Sequence, residues 1–88
     1  MASTTKIMTS LVVIENCNLS DTVEISKKAG STGGSRLGIK TGDKITVNDL
    51  LYGLMLCSGN DAAVALAEHV AGSINNFSEL MNNKALEL

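Results

Sequence analysis

Val47, Leu50, Leu51, Leu54 and Met55 follow one another at i, i+3, i+4, i+7 and i+8. Side chains at that spacing leave one side of a 3.6-residue helix and need a partner surface to bury against. Thr46-Val47-Asn48-Asp49 precedes the run in a capping-box pattern, and Ser58-Gly59 ends it. Gly59 reads there as a residue available for a backbone conformation that others resist. The segment that follows, Ala62 to Ala71, is apolar on nearly every face except around Glu68 and His69. A helix of that kind sits in the middle of other helices. One amphipathic helix running straight into one nearly all-apolar helix commits the chain to a mainly α fold.

The rest of the chain reads consistently with that. A first helix is predicted from about Ser3 to Glu15, with Ile7, Met8, Leu11, Val12 and Ile14 as its apolar stripe, stopping at Asn16-Cys17-Asn18. From Thr22 the period drops to two. Val23 and Ile25 alternate with polar residues, a Gly- and Ser-rich loop occupies residues 30–35, and Leu37 and Ile39 alternate before a turn at Gly42-Asp43. Residues 22–47 are therefore expected to form a small two- or three-stranded excursion. Asp61 suits the start of the third helix by its charge, and Gly72 suits its end. A last helix is predicted from Asn75 or Asn76, with Phe77, Leu80, Met81, Ala85 and Leu88 on one face, still running at the final residue. The expected architecture is about four helices and a short β excursion in one unit spanning residues 1–88.

With 88 residues, the chain can bury only about 60–65% of its unfolded surface, so it is at most one domain. Apolar residues make up 44%, yet there is one Phe, one Tyr and no Trp. Leu, Ile, Val, Met and Ala must build the core, with Met8, Met55 and Met81 as fillers. The net charge is −2, without a basic run or aromatics to stack bases, which argues against nucleic acid as a partner. No apolar stretch approaches the ~20 residues that span a bilayer. Cys17 and Cys57 are far apart in sequence, with only His69 as a companion ligand. That is short of a zinc pattern, and they read as two ordinary reduced thiols. No cofactor is implied.

The chemistry lies at the first helix start. Ser3 and Lys6 stand three apart, so both side chains leave one face and a hydroxyl meets an amine, one way of activating a serine. Ser58, Gly59 and Asn60 read as the second half of the same site. As bare patterns these are weak, because Ser-x-Asn recurs at Ser73-Ile74-Asn75. Ser3 alone would be a helix N-cap, and Ser58 and Asn60 alone a helix break and cap. His69 reads as a partly exposed helix residue with nothing beside it to orient it as a base, and Arg36 as solvated.

The flanking residues decide otherwise. Ala2-Ser3-Thr4-Thr5-Lys6-Ile7-Met8-Thr9 and Ser58-Gly59-Asn60-Asp61-Ala62-Ala63-Val64-Ala65-Leu66-Ala67, in that order, resemble the low-molecular-mass penicillin-binding proteins, the serine D-alanyl-D-alanine carboxypeptidases of peptidase family S11. The resemblance runs on through Asp49-Leu50-Leu51-Tyr52-Gly53-Leu54 and Phe77-Ser78-Glu79-Leu80-Met81-Asn82. Gly59 stands where β-lactamases carry an Asp, which favours the carboxypeptidase branch of this α+β superfamily. The resemblance implies that Ser3 forms an acyl-enzyme, that Lys6 takes its proton, and that Ser58 relays a proton. It further implies that Gly59 and Asn60 line the substrate site and that Asn60 positions Lys6. Peptidoglycan stem peptides ending in D-Ala-D-Ala and β-lactam antibiotics are the implied ligands, and the cell envelope outside the cytoplasm the implied location. Lys40-Thr41-Gly42 matches the family's third motif in letters, but it precedes Ser58 and is read as a coincidence.

A serine three residues from the start and an uncapped last helix lead us to expect a piece of a longer protein, inactive alone, with exposed apolar faces that favour self-association. A non-catalytic helical module and a β-lactamase relative are the competing readings.

Overall fold

The computed structural model describes residues 3–33, 38–57 and 59–87, the side chain of Ser3 excepted. Within these, α1 (Ser3–Asn16) leads to β1 (Thr22–Glu24) and a single turn, α2 (Lys27–Gly30), then β2 (Lys44–Thr46), α3 (Val47–Cys57), α4 (Asn60–Ala71) and α5 (Ile74–Glu87). The fold is mainly helical with one small sheet, as the hydrophobic periods require.

The apolar helix is the hub. α4 packs against α1, α2, α3, α5 and β1. Ala62, Ala65, Leu66 and Ala67 are buried, and the alanines allow the neighbouring elements to approach closely. Leu50 and Leu54 of α3, Val12 and Val13 of α1 and Phe77 of α5 complete the core around them. Gly72 ends α4 at φ 83°, with its N–H donating to the Glu68 carbonyl. This left-handed stop is where glycine is favoured over any residue with a Cβ.

The two strands are antiparallel, with Thr22 opposite Thr46, Val23 opposite Ile45 and Glu24 opposite Lys44. Val23 and Ile25 point inward, 4% and 1% exposed. The predicted further strand at residues 37–39 does not form at Ile39, and Leu37 lies outside the described residues. Ile39 is buried, but its N–H is taken by the Asp61 carboxylate at 3.3 Å, so it is not part of a ladder. The turn α2 was not expected. Ser26 caps it by accepting the Ala29 N–H at 3.1 Å, and the same hydroxyl donates to Glu68 Oε1 at 2.6 Å, fastening α2 to α4. The Thr46 cap of α3 forms as its sequence predicts, accepting the Asp49 N–H at 3.2 Å. α5 begins slightly before the predicted start because the Ser73 hydroxyl accepts the Asn76 N–H.

α1 departs from its expected orientation. Its inward residues are Thr9, Val12 and Val13, whereas Ile7 and Ile14 are each 54% exposed and Leu11 37%. The Thr9 hydroxyl is buried by donating to its own turn, at the Thr5 carbonyl 2.8 Å away. The stripe that the apolar spacing marked as core thus splits across two faces. Its outer part joins exposed Tyr52, Met55 and Leu56 of α3. Met55 is therefore not the core filler expected, while Met81 does pack against the core.

Candidate active site

Ser3 opens α1 and Lys6 follows one turn later, half-buried. A helical rise of ~1.5 Å per residue sets them about 4.5 Å apart along the axis, on one face. Thr5 and Thr9 of α1 and Ala63, Val64 and Ala67 of α4 border one cleft of ≈ 170 Å³. Thr5 lies between Ser3 and Lys6 in sequence, and Ala63 is one turn beyond Asn60. The first turns of α1 and α4 therefore meet at the same end of the helix pair. Ser58 lies outside the described residues.

Gly59 is the N-cap of α4, buried, with φ −68° and ψ 112°. Any residue adopts that backbone, so the expectation of a special conformation there is corrected. Its carbonyl accepts the Ala63 N–H at 3.1 Å, the first bond of the helix. Asn60 is half-buried and donates its Nδ2 to the Gly33 carbonyl at 3.3 Å. The side-chain amide thereby ties α4 to the Gly-rich loop.

The residue whose importance the sequence understated is the next one. Asp61 is fully buried. Its Oδ2 accepts the N–H of Gly38 at 2.9 Å and of Ile39 at 3.3 Å, and its Oδ1 accepts the Ala62 N–H at 2.9 Å. A carboxylate that holds three backbone N–H groups is well satisfied even away from water. Asn60 and Asp61 together hold the backbone at Gly33 and at Gly38, on both sides of the loop. The sequence hinted at this only through an acidic residue in a first helical turn.

Lys40-Thr41-Gly42 lies in the turn that leads into β2 and not on a strand. Gly42 has φ 89°, and its N–H donates to the Ile25 carbonyl at 2.8 Å. Asp43 closes the turn by accepting the Lys40 N–H at 2.9 Å. Thr41 abuts Gly30 so closely that a Cβ there would lie 2.5 Å from Thr41 Oγ1. These residues serve the packing of the β excursion on α2.

Cys17 and Cys57 are both free thiols. Burial pushes the Cys17 thiol above its ordinary value, and the negative charge of Asp21 acts in the same direction. His69, expected to stand without an orienting group, has Asp21 Oδ2 3.6 Å from its Nε2.

The profile of the peptidase S11 family, D-alanyl-D-alanine carboxypeptidase, matches residues 1–88. The chain belongs to this family. Among its curated relatives, the D-alanyl-D-alanine carboxypeptidase DacF of Bacillus subtilis is 45% identical over 92 residues, covering 99% of this chain and 24% of that protein. The carboxypeptidase DacC of Escherichia coli is 44% identical over 98 residues, with 99% and 24% covered. Solved structures agree in fold. The carboxypeptidase DacD of Francisella tularensis superposes with a TM-score of 0.90 at 44% identity, over 98% of this chain and 22% of that one. Penicillin-binding protein 6B of Escherichia coli does so at 0.89 and 39%, over 98% and 30%. The chain thus spans about a quarter of the length of the curated family members it matches.

Proposed function

We propose that these residues carry the acylating serine of a D-alanyl-D-alanine carboxypeptidase of peptidoglycan metabolism, acting in the cell envelope outside the cytoplasm. The observation that carries the reading is the meeting of two helix starts: α1 with Ser3 and Lys6, and α4 with Gly59 and Asn60 behind Ser58. Membership of the S11 family supports the reaction.

Ser3 Oγ attacks the carbonyl carbon of the penultimate D-alanine, and its proton passes to the amine of Lys6. The Ser3 backbone N–H has no partner within its own helix, since the first N–H groups of a helix never do, so it can donate to the developing oxyanion. Ser58 relays a proton to the departing amine, the C–N bond breaks, and terminal D-alanine leaves. Water then hydrolyses the acyl-enzyme. Asn60 contributes its side-chain carbonyl to Lys6 and the substrate amide, its Nδ2 being engaged with Gly33. Gly59 lets substrate pass close to the backbone. β-Lactams acylate Ser3 by the same attack, which opens the ring instead of releasing an amino acid.

Covalent labelling with a fluorescent penicillin tests this on the native protein that contains these residues. Label is expected on the wild type, none on Ser3→Ala, and strongly slowed labelling on Lys6→Ala. Label that survives Ser3→Ala refutes the assignment. The isolated 88 residues, about a quarter of the length of their curated carboxypeptidase relatives, are expected not to label. An adduct on them that Ser3→Ala removes would overturn that.

The outward apolar face supports one additional reading. Ile7, Leu11, Ile14, Tyr52, Met55 and Leu56 are exposed, and Ile14, Tyr52, Met55 and Leu56 border a groove of ≈ 320 Å³. Two isolated chains should associate through it. Sedimentation at rising concentration should show a dimer that Ile14→Glu abolishes; a strict monomer refutes self-association.

A further inference from the structure

At the opposite end of α1 and α4 a different group of side chains gathers. Cys17 follows the last turn of α1, Asp21 stands just ahead of β1, and His69 lies in the last turn of α4. One ligand atom from each, the Cys17 Sγ, an Asp21 carboxylate oxygen and a His69 ring nitrogen, lie within 4.8 Å of one another. Asp21 Oδ2 and His69 Nε2 are closer still, at 3.6 Å.

We propose that Cys17, Asp21 and His69 bind a zinc-like divalent cation, with solvent in a fourth position. Around a tetrahedral zinc, sulfur, nitrogen and oxygen ligands at about 2.0–2.3 Å stand roughly 3.3–3.8 Å apart. The present spacing closes to that with side-chain adjustment of about 1 Å, without moving a helix. One sulfur, one imidazole and one carboxylate form a mixed set that suits zinc and cobalt. Calcium and magnesium, which take oxygen ligands, are poorly served.

Two ligands come from the loop between α1 and β1 and the third from α4, and backbone bonds hold the loop in place. The Cys17 N–H donates to the Val13 carbonyl at 3.1 Å. The Asp21 N–H donates to Asn18 O at 3.1 Å, and its carbonyl accepts the Val47 N–H at 2.9 Å. The Asn18 N–H also donates to Asp21 Oδ2 at 3.2 Å, orienting the carboxylate as outer partners of metal ligands do. The cysteine proton is directed at the Val13 carbonyl, 3.3 Å from Sγ. On binding, that proton leaves to solvent and the thiolate takes the metal. A cation here ties the end of α1, the start of β1 and the end of α4 together. This does not depend on the reading of Ser3.

Cobalt(II) titrated into the reduced 88-residue chain is the test, followed by absorbance and by circular dichroism to confirm folding. A thiolate-to-cobalt charge-transfer band with tetrahedral d–d bands is expected, saturating at one equivalent and displaced by zinc. Cys17→Ser should remove the charge-transfer band, and His69→Gln and Asp21→Asn should each weaken binding by about tenfold or more. Cys57→Ser should leave it unchanged. The absence of the band in the folded wild type overturns the proposal. So does a band that survives Cys17→Ser, a band lost in Cys57→Ser, or affinity unaltered by both His69→Gln and Asp21→Asn.

Discussion

Changing Asp61 to asparagine alters almost nothing in shape and a great deal in hydrogen bonding. The side chain is 0% exposed and accepts three backbone N–H groups, from Gly38, Ile39 and Ala62. Asparagine keeps one oxygen. With that oxygen toward Gly38 and Ile39, both loop bonds survive in weaker, neutral form, and the new NH₂ faces the Ala62 N–H, donor against donor. The opposite orientation loses two bonds and is worse. A hydrogen bond to a charged group contributes about 1.5–3 kcal/mol and a neutral one about 0.5–1.5 kcal/mol, so one lost and two weakened bonds sum to about 3.5–6 kcal/mol. Relief from burying a charge offsets about 1 kcal/mol of this. The net loss is about 2.5–5 kcal/mol, a large share of the 5–15 kcal/mol typical of a whole domain. With a urea dependence of about 1–1.3 kcal/mol per molar for a chain this size, the unfolding midpoint should fall by about 2 M or more, read by far-ultraviolet circular dichroism. Asp61→Ala, which leaves the loop N–H groups with no acceptor, should cost more. A midpoint for Asp61→Asn within about 0.3 M of the wild type, where ~0.3 kcal/mol is at stake, would refute the claim that this carboxylate pins the loop.

Two further perturbations test other joints. Gly72 sits at φ 83° with open space around the position of a Cβ, so Gly72→Ala should cost about 1–2 kcal/mol through backbone strain alone. Gly72→Asn should cost less, and equal melting temperatures for all three proteins would exclude a left-handed cap. Lys84 donates to Glu15 at 2.6 Å and to Glu87 at 3.3 Å. The Glu15 hydrogen bond foremost, and then the Glu87 bond, raise its pKa above the ordinary 10.5. A folded-state value raised in this way gives stabilisation that is complete below the unfolded value and lost as pH climbs through the folded one. The stability gap between the wild type and Lys84→Met should therefore stay constant from neutrality to pH 9 and close above 10.5; a gap that closes below pH 9 contradicts the assigned pairs.

The long helices were legible because they carry their own periods and stop signals: the α3 run behind Thr46, the all-apolar α4 and the glycine at residue 72. β1 was legible from the alternation of Val23 and Ile25 with polar residues, and β2 falls inside the excursion expected over residues 22–47. The strand predicted at Ile39 failed because a carboxylate distant in sequence captured its N–H, and no local pattern reports that. Ser26 caps α2 through the nearby Ala29 N–H, but the bond that fastens this turn goes to Glu68, a residue of another helix. The strings around Ser3 and Ser58 that carry the family resemblance were readable as strings.

What the sequence determined by itself was the four long helices and the family, since periodicity and motif are local and need no neighbour. It did not determine which way α1 faces, because apolar residues occur on both its sides and only packing on α4 and α5 chooses Thr9, Val12 and Val13 for burial. Nor did it reveal that Asp61 holds the loop, or that Cys17, Asp21 and His69 share one corner. Those are distances between residues brought together when α4 becomes the hub, and tertiary packing alone sets them.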